Sequence, residues 1–231
     1  MKPFSIATLL GGALVLSLGM IGMTGCSSTT TDTDGGKTEG GTSEGGGSDG
    51  GGGMCATTTT CKAYCDQLTS ACSGANVQLD NATCTSLCKA LTNNEMDMGK
   101  LGKVSDAMGD TIGCREYHSC VASMSAANAA MHCGHSNIWS AGDTCGTQCD
   151  AFCAIETKVC TGANAQFAGM NECLSKCGQW MAGKPTDTAG DTLGCREYHL
   201  GVASTSDANA AMHCPHTGNG PADGGGNPVC K

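Results

Sequence analysis

The chain has 231 residues, a formal net charge of −9 at pH 7, 19 cysteines, 36 glycines and only 3% aromatic residues. So few aromatic side chains exclude one large hydrophobic core, and small domains stabilised by disulfides are expected instead. The negative charge argues against nucleic acid as a partner, because neutralising phosphates requires a basic surface.

Residues 1–25 form the first predicted element, a secretion signal. Lys2 supplies a positive charge, Phe4–Met23 is apolar but interrupted by glycines, and polar residues follow from Ser27. This order is typical of a signal peptide. A transmembrane helix is the alternative, but the basic flanks of a stop-transfer segment are missing.

The segment ends in Met23-Thr24-Gly25-Cys26, which resembles the lipobox of bacterial lipoproteins. The resemblance implies that Cys26 becomes the first residue of the mature chain and carries diacylglycerol, often with a further acyl chain such as palmitate. Two or three acyl chains anchor a protein stably in a bilayer. Because Ser27 follows where a retention signal has Asp, the resemblance implies the cell outer membrane. The alternative is a secreted protein that loses Cys26 with its signal peptide.

Residues 26–54 are predicted to form a disordered tether. Eleven of the 28 residues from Ser27 to Met54 are glycine, and most of the others are Ser, Thr, Asp or Glu. Such a segment has almost nothing apolar to bury. As a flexible coil it spans about 30 Å, enough to hold a globular part away from a lipid surface. A low-complexity antigenic tail is the alternative.

The rest of the chain is an internal duplication, with repeat 1 at residues 55–145 and repeat 2 at residues 146–231. Nineteen of 25 positions are identical between Thr111–His135 and Thr192–His216. Eight cysteines of repeat 1 recur in repeat 2 at offsets of 81 to 89 residues. In chain order these cysteines are Cys61, Cys65, Cys72, Cys84, Cys88, Cys114, Cys133 and Cys145, matched by Cys149, Cys153, Cys160, Cys173, Cys177, Cys195, Cys214 and Cys230.

With Cys26 assigned to lipid, the eighteen remaining cysteines predict nine disulfide bridges in an exported protein. Cys55 and Cys120 have no counterpart in repeat 2, where Gly201 matches Cys120, so we expect them to pair. The chain has no CxxC or CxxCH motif, which disfavours paired zinc knuckles, thioredoxin-like sites and covalent haem.

The pairing within each repeat is predicted in part. Two antiparallel helices with facing Cys-x3-Cys pairs bring i and i+4 cysteines into bridging distance. The predicted bridges are Cys61–Cys88, Cys65–Cys84, Cys149–Cys177 and Cys153–Cys173. The pairing of Cys72, Cys114, Cys133 and Cys145, and of their counterparts in repeat 2, stays open.

Helical spacing and the absence of β-branched alternation predict an all-α fold: two tandem small disulfide-rich helical modules after a disordered Gly-rich tether. In repeat 1 we expect a first helix capped within Thr57–Thr60 and stopped by Gly74, and a second from Asp80 or Asn81. In repeat 2 we expect Asp143 or Thr144 to cap the first helix.

The spacing shared by the two repeats continues through a third helix, expected from Asp110 to about Ser123 in repeat 1. Ser125 and Ser206 are expected to cap short Ala-rich helices that end at His132 and His213.

All six histidines lie in the duplicated segment, and three fall in each repeat. The favoured interpretation is structural, in which the histidines cap helix ends or bind carbonyl groups. The alternative is a zinc or copper site built by three histidines from two neighbouring helices, or a bis-histidine haem site. The candidate ligands are His118, His132 and His135 in repeat 1, and His199, His213 and His216 in repeat 2.

Other chemistry-bearing side chains have structural explanations. Arg115 and Arg196, the only arginines, are expected to pair with Asp110 and Asp191 at the start of the third helix. The tyrosines that follow in the same motif are expected to fill the core with their hydroxyls at the surface.

Met96 and Met98 hint at copper(I), although methionine more often fills gaps in a core.

The segment from Cys160 to Phe167, CTGANAQF, with GCREYH and HCPH near the end, resembles cysteine-rich tandem modules in myxobacterial lipoproteins. The resemblance covers most of residues 55–230 and implies architecture and location without an activity. We therefore expect a non-enzymatic, lipid-anchored surface module that binds a protein or glycan or is purely structural. The alternative is a copper, zinc or haem carrier. A hydrolase is a third hypothesis, for which no nucleophile–base pairing is found.

Overall fold

The computed structural model describes residues 55–74, 79–139, 142–218 and 229–230. The predicted signal peptide, Cys26 and the tether lie outside these residues. The described part is helical and contains no strand, only an isolated bridge between Met181 and Thr192, so the all-α prediction is confirmed. None of its helices is long and apolar enough to cross a membrane. The α-helices in chain order are α1 (Cys61–Ala71), α2 (Asn81–Leu91), α3 (Met98–Leu101), α4 (Ile112–Ser123), α5 (Ala126–Ser136), α6 (Gln148–Val159), α7 (Met170–Cys177), α8 (Leu193–Ala203) and α9 (Asp207–His213).

Side-chain caps set most of the helix starts. Thr60, Asp80, Ser125 and Ser206 each accept a hydrogen bond from the backbone N–H three residues on, as their sequence context predicts. The prediction of Asp143 or Thr144 as the cap of α6 was wrong, because Thr147 accepts from Asp150 N–H instead.

The physical reason is the turn before α6. Asp143 and Gly146 have φ angles of 59° and 91°, so the chain passes through left-handed conformations and only then enters the helix.

The ends of two helices also differ from the sequence prediction. The helix α1 ends at Ala71, before Gly74, and α5 continues through His132 to Ser136. The equivalent helix α9 does end at His213, as predicted.

Two disulfides in each repeat, four in all, join the first two helices of that repeat. Their Cα–Cα distances lie between 5.5 and 5.8 Å, the spacing that a bridge needs. These pairs are the ones expected from facing Cys-x3-Cys stripes: Cys61–Cys88, Cys65–Cys84, Cys149–Cys177 and Cys153–Cys173.

The remaining bridges connect distant parts of each repeat. Cys55 pairs with Cys120, which have no counterparts in repeat 2. The four pairs that the sequence left open are Cys72–Cys133 and Cys114–Cys145 in repeat 1, and Cys160–Cys214 and Cys195–Cys230 in repeat 2. The first bridge of each pair joins the end of the first helix to the last helix or the residue after it. The second bridge joins α4 or α8 to the closing cysteine of the repeat.

The two repeats share one continuous core. Helix α2 of repeat 1 packs against α6 and α8 of repeat 2, and Leu87 is fully buried. A β-carbon on Gly201 would stand 3.1 Å from Thr83 Cγ2 and 4.0 Å from Leu87 Cδ1. Lys158 Nζ also donates a hydrogen bond to the Leu91 carbonyl at 3.0 Å. Sulfur and aliphatic side chains from both repeats therefore form a single buried cluster.

Candidate metal centre

In each repeat a helical hairpin brings three histidines together. In repeat 2, α8 carries His199, α9 ends at His213, and a 3₁₀ helix at Cys214–His216 carries the third histidine. Ser206 caps α9 through the Asn209 N–H. The disulfide at Cys214 ties this hairpin to the first helix of the repeat.

The ring nitrogens of the repeat 2 histidines lie close to one another. His199 Nδ1 is 2.9 Å from His213 Nδ1 and 3.3 Å from His216 Nδ1. One ligand atom from each of the three lies within 4.8 Å of the others. His199 is 6% exposed, while His213 and His216 are half-buried. The cluster therefore has one buried ligand and two that border the surface.

A backbone carbonyl fixes the tautomer of His199. Its Nε2 lies 3.3 Å from the Thr188 carbonyl oxygen. A carbonyl only accepts, so Nε2 carries the proton and donates, and Nδ1 of the neutral ring keeps its lone pair. Metal-bound histidines typically make this second hydrogen bond, which orients the ring and raises its basicity as a ligand.

Burial lowers the pKa of two histidines of this cluster. Desolvation, together with the charges that His216 and His213 would carry, lowers the pKa of His199 to about 4. Desolvation also lowers the pKa of His213, with His216 contributing. Neutral imidazole is the form that binds a metal, so few protons compete at neutral pH.

The spacing of the nitrogens fits a tetrahedral metal ion. Zn–N bonds of about 2.0–2.1 Å at tetrahedral angles place nitrogen ligands about 3.3 Å apart. The His199–His216 nitrogen distance is 3.3 Å. The His199–His213 distance of 2.9 Å has to open by about 0.4 Å, a shift within reach of small side-chain rotations. Three imidazoles also leave a fourth coordination position for water or a ligand.

Repeat 1 has the same histidine arrangement, but its third histidine lies farther from the first. His118 Nδ1 lies 2.9 Å from His132 Nδ1, and His118 Nε2 donates to the Ala107 carbonyl at 3.1 Å. Burial lowers the pKa of His118 and of His132. The ring centres of His118 and His135 are 5.2 Å apart, compared with 4.6 Å for His199 and His216.

The same geometry disfavours haem. A bis-histidine haem iron lies between two rings, with the flat macrocycle separating them. In both repeats the first two histidine rings are stacked, with centroids 5.1 Å apart for His118 and His132 and 5.2 Å for His199 and His213. A macrocycle does not fit between rings at that separation, so the geometry favours a bare metal ion.

Cysteine sulfurs lie near the site but are not free to bind. Atoms of Cys195 and Cys230 lie within 4.8 Å of a ligand atom of His199, and Cys114 and Cys145 are placed likewise at His118. Each of these cysteine pairs is a disulfide, so no thiolate is present to act as a ligand.

The arginines have the structural role that the sequence predicts. Arg115 Nη2 and Arg196 Nη2 each lie 2.9 Å from Oδ1 of Asp110 and Asp191. Both guanidinium groups are buried, and each donates a further hydrogen bond to the carbonyl that starts its helix.

The two tyrosines of the same motif differ from the sequence prediction. Tyr117 and Tyr198 do not fill the core: they are 37% and 36% exposed and stand edge-on to the adjacent histidine ring. Tyrosine at this helical position faces the surface of the hairpin, because arginine and glutamate occupy the buried face of the helix.

The two methionines that hinted at copper(I) lie at the surface. Met96 and Met98 are 67% and 71% exposed.

Two buried glutamates in the same motif were missed in the sequence. Glu116 and Glu197 are fully buried. Desolvation raises the pKa of Glu116 to about 7 and that of Glu197 to about 8. Gln148 Nε2 donates to Glu197 Oε1 at 2.7 Å. The position of each between an arginine and a tyrosine gave no signal of burial, because glutamate is rarely fully buried.

Comparison with known protein families finds a similarity in repeat 2. Residues 147–231 match the BfoA family C-terminal domain. The matched segment holds α6 to α9 and the His199 cluster. No curated protein and no solved structure matches the chain. The name of this family states no ligand or activity.

Proposed function

We propose that this protein is an exported, non-enzymatic carrier that holds a divalent transition metal, Zn²⁺ or Cu²⁺, in each of its two repeats. The convergence of three ring nitrogens at His199, with its opposite nitrogen donating to the Thr188 carbonyl, is the observation that carries this proposal. Imidazole is a preferred ligand of both ions.

The proposed ion is cargo and not part of the framework of the fold. The disulfides already hold the helices together, each with an expected contribution of about 2–4 kcal/mol. His213 and His216 border solvent, so an ion at this position can exchange. A three-histidine set with an open position also allows a partner or chelator to supply the fourth ligand.

We propose that this carrier is anchored in the outer membrane through lipid on Cys26. The lipobox-like Met23-Thr24-Gly25-Cys26 and the Gly-rich residues that follow support the anchor and a tether. On this proposal the bilayer is the first partner, and the carrier works in the oxidising environment outside the cytoplasm, where its disulfides persist.

Competition titration of the oxidised, metal-free protein tests the proposed function. Zinc and copper are titrated in separate experiments against a chromophoric chelator, and bound metal is counted per chain. The wild type is expected to bind two ions. His118→Ala with His199→Ala is expected to bind none, while Asn209→Ala, on α9 but outside the cluster, is the matched control and retains both. A wild type that binds no more metal than the double variant contradicts the proposal.

A further inference from the structure

The two histidine clusters differ in how nearly complete they are. In repeat 2 ligand nitrogens of all three histidines lie within 4.8 Å of one another. Within the described residues, the three histidines of repeat 1 do not meet this distance. The first two histidines have the same 2.9 Å contact in both repeats, so the difference lies in the third.

Between the second and third histidines, the two repeats differ in one residue. Repeat 1 has His132-Cys133-Gly134-His135, and repeat 2 has His213-Cys214-Pro215-His216. Helix α5 continues through the glycine to Ser136, whereas α9 ends at His213 and a 3₁₀ helix begins at Cys214. Proline has no N–H and its ring clashes with the carbonyl four residues earlier, so it ends the α-helix.

The change from α to 3₁₀ geometry moves the third histidine. Residues i and i+3 eclipse in a 3₁₀ helix, whereas in an α-helix they lie about 60° apart around the axis. This tighter winding brings His216 to within 4.6 Å, between ring centres, of His199. In repeat 1 the corresponding ring is packed against the Gly142 backbone, where an added β-carbon would stand 3.0 Å from His135 Cε1.

We infer that Pro215 preorganises the repeat 2 cluster, so that repeat 2 is the high-affinity metal site and repeat 1, with Gly134, is a weaker and more readily exchanged site. This inference rests on the proposed function. Repeat 2 binds with its ligands already converged, whereas repeat 1 has to move His135 from its contact with Gly142. Changes in the groups that orient metal ligands typically alter affinity about 10–100-fold.

A carrier with two unequal sites fills in a fixed order. At low free metal only repeat 2 is occupied, and repeat 1 loads as the concentration rises. Repeat 1 then releases its ion first when a competing ligand appears. Pro215 is thus a positioning residue, which sets the affinity without touching the ion.

Single-site variants test this inference with zinc as the probe. His132→Ala leaves only repeat 2 and His213→Ala leaves only repeat 1, and each dissociation constant is measured by chelator competition. The repeat 2 site is expected to bind about 10-fold more tightly or better. Adding Pro215→Gly to His132→Ala is expected to weaken binding to near the repeat 1 value. Adding Gly134→Pro to His213→Ala is expected to tighten it.

The outcomes separate this inference from the proposed function. Equal dissociation constants for the two single-site variants, or a Pro215→Gly exchange that leaves the constant unchanged, overturn the inference while metal binding stands. Failure of both single-site variants to bind zinc overturns the proposed function itself. Circular dichroism and the mass of the oxidised chain verify folding. If Gly134→Pro fails to fold, Pro215→Gly, which installs the residue that repeat 1 already tolerates, decides the question.

Discussion

Gly201 of α8 lies directly beneath Thr83 of α2, and a β-carbon at Gly201 would stand 3.1 Å from Thr83 Cγ2. This contact is where repeat 1 packs on repeat 2. Gly201 also occupies the position that Cys120 has in repeat 1, where Cys120 is bonded to Cys55. Repeat 2 thus has a close helix contact at the position where repeat 1 has a disulfide.

Enlarging Gly201 should separate the repeats. Gly201→Val is expected to lower the free energy of unfolding by about 1–3 kcal/mol, because added methyl groups overpack a close helix contact. Guanidinium denaturation of the oxidised protein measures the change. Thr83→Ala in the same chain removes the opposing methyl group and should recover part of the loss. If Gly201→Val were neutral, α2 would not depend on close contact with α8.

Glu197→Gln should change how stability depends on pH. The folded pKa of Glu197 is raised by burial from 4.5 to about 8. A raised pKa of this kind gives stability that is complete below pH 4.5 and is lost as the pH rises towards 8. The variant, whose amide oxygen still accepts from Gln148, should therefore be the more stable of the two at pH 8, by an amount on the order of a few kcal/mol.

Unfolding free energies at intervals from pH 5 to pH 8 test this expectation. The difference between Glu197→Gln and the wild type should grow in favour of the variant across this range. Glu172→Gln, at an exposed position of α7, is the control for the same change of side chain outside the core. A difference that is constant with pH would mean that Glu197 is already ionised in the folded protein.

Zinc should stabilise the protein through the histidine clusters. A ligand that binds only the folded state at about 100 times its dissociation constant adds about 2.7 kcal/mol per site to the unfolding free energy. His213→Ala should lose the gain from repeat 2 and keep that from repeat 1. A variant that gained as much from zinc as the wild type would place the ion elsewhere.

Reduction should unfold the body. Cysteine makes up a large part of the buried cluster that runs through both repeats, and each bridge is expected to add about 2–4 kcal/mol. Full reduction should therefore abolish the helical circular dichroism signal. A reduced protein that kept this signal and its melting temperature would show that the apolar contacts suffice without the bridges.

Cys26→Ala should prevent lipid attachment. Metabolic labelling with a fatty acid and membrane fractionation are expected to show loss of the label and a shift to the soluble or precursor pool. Labelling that persisted in Cys26→Ala would contradict the proposed anchor, without bearing on the metal sites.

Local sequence patterns predicted the fold class and four of the disulfides. Because i and i+4 share one helical face, Cys61 and Cys65 had to meet a partner helix with the same spacing. Cys72–Cys133 has no such local signal, since its partner is 61 residues away and its position depends on how α5 folds back. The cap of α6 was missed because the left-handed turn at Asp143 is set by its surroundings.

The histidine cluster was predictable as a set of residues but not as a geometry. The 81-residue offset marks His118 and His199 as equivalent. The carbonyls of Ala107 and Thr188, which fix their tautomers, belong to the loop before the helix and carry no side-chain signal. The effect of Pro215 also needed the backbone, because it depends on where α9 ends.

The most direct test of the metal proposal is anomalous diffraction at the zinc edge from crystals of the oxidised protein grown with zinc. We expect an ion in repeat 2 bonded to Nδ1 of His199, His213 and His216 at about 2.0–2.1 Å, with His199 Nε2 still donating to the Thr188 carbonyl. Crystals with excess zinc and no anomalous peak at this cluster, or with His199 bound through Nε2, would contradict it.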